Sequence, residues 1–158
     1  MVAVKPSQIR EIDAYAEEKL NLPTAILMQR AGEAVFRVVQ TKLHKKNPFV
    51  LVLCGGGNNG GDGYAAAKLM IEHGMRVCAV DLFSIGQRSQ EGKDALEAYL
   101  ATPYARILYG IEDVENELAK ADCVVEAIYG VGARADLPEE VLFLLRALRK
   151  EQIGRAHV

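Results

Sequence analysis

Residues able to do chemistry concentrate in one stretch, Cys54-Gly55-Gly56-Gly57-Asn58-Asn59-Gly60-Gly61-Asp62-Gly63. Asn58 and Asn59 bring amide donors and acceptors, and Asp62 brings a carboxylate. The apolar run Phe49 to Leu53 before it predicts a buried strand, and Tyr64 to His73 after it predicts a helix. Strand, glycine-rich turn and helix in that order gather backbone N–H groups at a helix N-terminus, where unpaired donors and the helix dipole attract phosphate. The glycines allow backbone angles with φ > 0 and let a ligand approach the main chain closely. Glycine richness alone is weak evidence, because a tight turn capped by Asn or Asp also uses it. Gly55, Gly57 and Gly60 can be forced onto G-x-G-x-x-G, but the acidic partner then falls a little late, at Asp81. No lysine in the loop supports a P-loop.

A second constellation lies further on, Glu126 at the end of a predicted strand followed by Gly130-Val131-Gly132-Ala133-Arg134-Ala135-Asp136. A carboxylate in an apolar strand is costly to bury unless paired or bound to a cation. Glu126 therefore reads as a site residue pointing toward Asn58, Asn59 and Asp62, or else as an ion-pair partner of Arg134 or a strand end already in water.

The elements that must position these residues alternate. Helices are predicted over Ser7 to Leu20, from Pro23 or Thr24 to about His44, and over Ser89 to Leu100, Glu112 to Lys120 (charged and exposed) and Val141 to Leu148. Strands are predicted at Arg76 to Phe83, Ala105 to Leu108 and Asp122 to Tyr129. The pair Ala31-Gly32 predicts close approach of a neighbouring backbone. Strands alternating with helices predict a doubly wound parallel sheet. With strand order 3-2-1-4, both glycine loops open on one crevice.

The chain has 158 residues, half of them hydrophobic, a quarter charged, with a formal net charge of -2. That profile fits one globular domain and offers no basic run for nucleic acid. No stretch is apolar enough to span a membrane, and charges throughout the first 20 residues argue against a signal peptide. The three cysteines, Cys54, Cys78 and Cys123, fit no zinc spacing and read as buried free thiols of a cytoplasmic protein.

Taken together, three segments resemble the YjeF N-terminal domain family, the NAD(P)H-hydrate epimerases. They are the helix pair carrying Gln8 to Asp13 and Leu27 to Gly32, the run Gly57 to Gly63, and Glu126-Ala127-Ile128-Tyr129-Gly130-Val131-Gly132. The resemblance implies a Rossmann-like three-layer sandwich with an N-terminal helix pair, and an isomerase that interconverts the R and S forms of hydrated NADH and NADPH. It implies that Asn58, Asn59, Gly60, Gly61 and Asp62, with Gly130 to Asp136, hold the substrate. It implies a potassium ion on Asn59 and Glu126, with Asp62 or Glu126 as general acid/base. The implied partners are the hydrated cofactor, a dehydratase fused or separate, and a second copy in a homodimer. Glu126 departs from the family's aspartate, and Gln29-Arg30 from its usual Glu-Asn. The family's later Val-Asp-x-Pro-Ser-Gly has no counterpart here. Ile153 to Val158 equals one reading frame of a common DNA sequencing adapter. Residues 1–151 thus read as a single domain incomplete at its C-terminus, with 152–158 a non-native tail. The competing readings are a non-catalytic scaffold module of the same fold, as in RNA-decapping proteins, and a nicotinamide-dependent oxidoreductase.

Overall fold

The computed structural model describes residues 14–82, 88–130, 138–150 and 154–157. Of the first predicted helix, residues 14–20 are helical (α1), and the remainder lies outside the described residues. There follow α2 (Thr24–Lys42), β1 (Phe49–Cys54), α3 (Asn58–Glu72), β2 (Arg76–Asp81), α4 (Gln90–Leu100), β3 (Ile107–Tyr109), α5 (Val114–Leu118), β4 (Cys123–Ala127), α6 (Glu139–Lys150) and β5 (Gly154–His157). The sheet is parallel throughout, in the order β3-β2-β1-β4-β5.

β1 is buried along its whole length, as an uninterrupted apolar run in the middle of a parallel sheet must be. The pleat sends Val50, Val52 and Cys54 to one face, where α2, α3 and α4 cover them. It sends Phe49, Leu51 and Leu53 to the other, against α5 and α6. The crossovers thus change faces between β1 and β4, and the crevice of a doubly wound sheet opens at such a point. Close approach of α2 to α3 is made at Gly32, where an added Cβ would lie 2.8 Å from Ala65 Cβ and 2.9 Å from Ala66 N. The edge strand β3 is held by Tyr99, fully buried, whose hydroxyl donates to Arg106 O at 2.5 Å and accepts from Arg106 N and Ala79 N at 3.2 Å.

Two expectations change. The helix predicted from Tyr64 begins six residues earlier, so Asn58 to Gly63 form its first turns rather than a loop. The segment predicted as an exposed helix at Glu112 to Lys120 shortens to α5, buries Val114 and Leu118, and ties Glu117 to Arg106 and Lys120. Burial works against the Glu117 charge, and these two cations outweigh it, holding the carboxyl below its usual range. Residues 154–157, within the segment read as tail, pair in parallel with β4 as β5. Such pairing uses main-chain N–H and C=O groups and does not depend on side-chain identity.

Candidate functional site

α3 starts directly behind β1, with Gly57 as N-cap in extended conformation and no side chain capping the turn. No acidic side chain lies in that first turn either. The end that carries partial positive charge is therefore left open to an anion. Asn58 and Asp62, four residues apart, share one helix face. Asn59 and Gly63 share the next face, which meets β4: a Cβ on Gly63 would lie 2.7 Å from Ala127 Cβ, and one on Gly130 would lie 3.3 Å from Asn59 Oδ1.

Gly55, Gly60, Gly61 and Gly63 serve close packing rather than unusual backbone angles. Among the described residues the glycines with positive φ are Gly74 and Gly110, neither of them in this stretch. A Cβ on Gly55 would meet Ile128 O at 1.9 Å, and one on Gly60 would meet Gly55 O at 2.0 Å. Gly55 N also donates to Ala127 O at 3.0 Å. The β1–α3 turn and the end of β4 are thus in backbone contact, as the expected adjacency of these two strands requires. Of the second loop, Gly130 is seen to meet Asn59, whereas Val131, Gly132, Ala133, Arg134, Ala135 and Asp136 lie outside the described residues.

Cys123 and Val125 pack on the α3 side of the sheet, and Val124 and Ile128 on the α5–α6 side. Strand alternation starts the Glu126 side chain on the side of the latter pair, the sheet face that α3 does not cover. Its Oε1 accepts the Ile128 N–H at 3.3 Å, which holds the carboxylate at the strand's end.

The Asn59 side chain matters most for a cation. Its Nδ2 is buried without a hydrogen-bond partner. A buried unpaired amide donor costs about 1–3 kcal/mol. Turning the carboxamide over would put its oxygen there, a hard ligand suited to a hard cation. Asn59 fits potassium on that ground, and Glu126 supplies the right donor chemistry from the end of the neighbouring strand. Among the described residues no group of three or more His, Cys, Asp or Glu forms a metal cluster.

Further residues, of which Arg88 and Ser89 are not singled out for chemistry from the sequence, border the same end of α3. Arg88 and Asp81, both almost fully buried, form an ion pair. Arg88 also donates to the Tyr64 hydroxyl at 3.2 Å and lies over the Tyr64 ring. Asp81, the candidate ribose partner of the G-x-G-x-x-G reading, is therefore engaged inside the protein. Burial raises both the Tyr64 hydroxyl and the Cys54 thiol above their ordinary ranges, so Cys54 is no ready nucleophile. Ser89 caps α4 and bonds Asn58 (Oγ to Oδ1, 2.6 Å). The only trace of this in the sequence is a serine at a predicted helix start.

These features define an α/β domain of the Rossmann-like, three-layer class, with an uncapped helix N-terminus beside the ends of β1 and β4. A family model described as "YjeF-related protein N-terminus" matches residues 24–156, and the chain belongs to that family. It is 33% identical to a bifunctional NAD(P)H-hydrate repair enzyme Nnr of Thermanaerovibrio acidaminovorans, over 98% of this chain and 30% of that protein. It is 32% identical to an NAD(P)H-hydrate epimerase of Leuconostoc mesenteroides, over 91% of this chain and 62% of the relative. A crystal structure of the yeast protein ynu0 superposes on all of this chain and 70% of its own, with a TM-score of 0.86 at 24% identity, and shares the fold. The chain thus spans less than two thirds of the length of either of these curated relatives.

Proposed function

We propose that this chain carries the epimerase function named for its relatives, interconverting the R and S forms of hydrated NADH and NADPH. The observation that supports it most is the uncapped N-terminus of α3, built from Asn58 to Asp62 and set against the end of β4. The open N–H groups suit the diphosphate that both cofactors share. Asn58 and Asp62, on one face, would bind and act beside it.

At the reacting carbon a hydroxyl and a ring nitrogen are both attached. A carboxylic acid protonates the hydroxyl, the nitrogen lone pair expels water, and water returning to the opposite face gives its proton back to the carboxylate. Of the two candidate carboxylates, Asp62 shares a helix face with Asn58, whereas Glu126 starts from the sheet face that α3 does not cover and is held at the end of β4. We therefore assign the general acid/base to Asp62. Asn59, with Glu126, would hold potassium, and when bound the ion would supply fixed positive charge beside the substrate. A scaffold role is the weaker reading, since it gives no reason to leave the Asn59 amide buried and unpaired.

The test is direct. The chain is incubated with a single epimer of hydrated NADPH, and the R/S ratio is followed by chromatography with and without potassium. Equilibration well above the spontaneous rate is expected. A ratio that drifts only at the spontaneous rate would overturn the proposal.

A further inference from the structure

We propose that Ser89, anchored by Arg88, is a positioning residue that fixes the Asn58 carboxamide with its nitrogen as the pole offered to the ligand. The inference rests on the reading of Asn58 as a substrate contact. It adds a reason why that contact selects an acceptor group such as a phosphate oxygen.

The Ser89 hydroxyl has one proton and two lone pairs. As N-cap of α4 its oxygen accepts from Gly92 N at 3.2 Å. Its separation from Asn58 Oδ1, 2.6 Å, lies in the O–H···O range and is short for N–H···O. The proton is therefore committed to Asn58 Oδ1, and Nδ2 faces away from Ser89. At the open end of α3 this amide adds a donor to an array that already consists of donors. The opposite orientation would put a carbonyl oxygen among them and repel an anion.

An exposed serine–asparagine bond would ordinarily be too loose to enforce an orientation. Here both ends are held. Arg88, the preceding residue, is buried and bound to Asp81 and Tyr64. The first turns of α3 and α4 are also in close contact, since a Cβ on Gly61 would lie 3.3 Å from Gly92 Cα. Ser89 is thus pinned from its N-terminal side by an ion pair and from its C-terminal side by the helix it caps.

Calorimetric titration of the chain with NADP+ separates positioning from capping. Ser89→Ala should weaken NADP+ by roughly three- to tenfold, the worth of one oriented hydrogen bond, raising KM in the epimerase assay with kcat within twofold. Ser89→Thr, which keeps the hydroxyl, should restore binding. Ser89→Asp is the deciding variant, because aspartate caps a helix as well as serine does but has no proton to give. It should keep the wild-type Tm and still bind weakly, even at 1 M salt, where charges are screened beyond about 3 Å. Wild-type affinity in Ser89→Asp at high salt, or in Ser89→Ala, would overturn the positioning role and leave the site reading intact. Absence of saturable NADP+ binding by the unmodified chain would overturn both.

Discussion

Gly55 lies against Ile128 so closely that a Cβ on the glycine would sit 1.9 Å from the Ile128 carbonyl oxygen. This contact joins the turn after β1 to the end of β4, and so joins the two glycine-bearing segments into one crevice wall. Two paces along the chain, Gly57 meets nothing within 4 Å at the same kind of probe position. Neighbouring glycines in one run therefore have opposite tolerances.

Gly55→Ala should destabilise the fold by about 1–3 kcal/mol or more, because the obstacle is backbone and cannot swing aside. Gly57→Ser should do the reverse. Gly57 is the N-cap, with φ -92° and ψ -170°, a conformation serine adopts freely. Its hydroxyl would cap α3 and add a few tenths of a kcal/mol. The same cap would occupy donors that a phosphate needs, so NADP+ binding should fall as Tm rises. Thermal melts paired with calorimetry check both signs.

Tyr99→Phe isolates the hydroxyl that ties β3 to the sheet. Burial is the main reason its pKa is pushed up to about 12, so the group stays a neutral donor and acceptor at physiological pH. Its loss leaves Arg106 N without this acceptor and Ala79 N with only Arg106 O, at 2.9 Å. A cost of about 1–3 kcal/mol is expected in denaturant unfolding. Equal stability of the two proteins would show that water replaces the hydroxyl.

The sheet was largely legible because β1 is an apolar run long enough to be a central strand, and because the elements alternate. The site was legible in part. Asn58 to Gly63 read as loop because glycine and asparagine are poor helix formers, and tertiary packing against β4 and α4 overrides that propensity. What those glycines pack against could not be read, since only the folded contacts reveal what a Cβ would strike. Glu126 could be seen to be exceptional in an apolar strand. Its face could not be assigned until the crossovers showed which side α3 covers. Arg88 and Ser89 carry no motif at all, and the geometry that brings them to α3 exists only in three dimensions.

Asp122 should set an acid limb on stability. Its Oδ1 accepts from Lys45 Nζ at 2.7 Å and its Oδ2 from Phe49 N at 2.8 Å, and chiefly these two bonds hold its pKa below the usual carboxylate value. A carboxyl depressed in the folded state stabilises above its unfolded pKa, about 3.9. That contribution fades as pH falls from there through the folded value. Melting temperature measured from pH 7 downward should therefore drop more steeply in the unmodified chain than in Asp122→Asn, which lacks the titrating group. Parallel curves below pH 4 would count against this assignment.

The two carboxylates of the crevice make the last prediction. Asp62 stands on the Asn58 face of α3, and Glu126 leaves β4 on the opposite side of the sheet, its Oε1 bound to Ile128 N. If Asp62 is the acid/base, Asp62→Asn keeps shape and removes proton transfer, so kcat for epimerisation should fall by about 10²–10⁴ with Tm nearly unchanged. Glu126→Gln should act differently, because an uncharged side chain in the same place still accepts from Ile128 N but offers a weaker ligand to a cation. Its expected mark is a higher potassium requirement with most of kcat retained at saturating potassium. Glu126→Asp shortens the reach by one methylene and should lower that requirement or leave it unchanged. A collapse of kcat in Glu126→Gln at saturating potassium, together with an active Asp62→Asn, would exchange the two roles. It would also require the Glu126 carboxylate to turn over the end of β4 during the reaction.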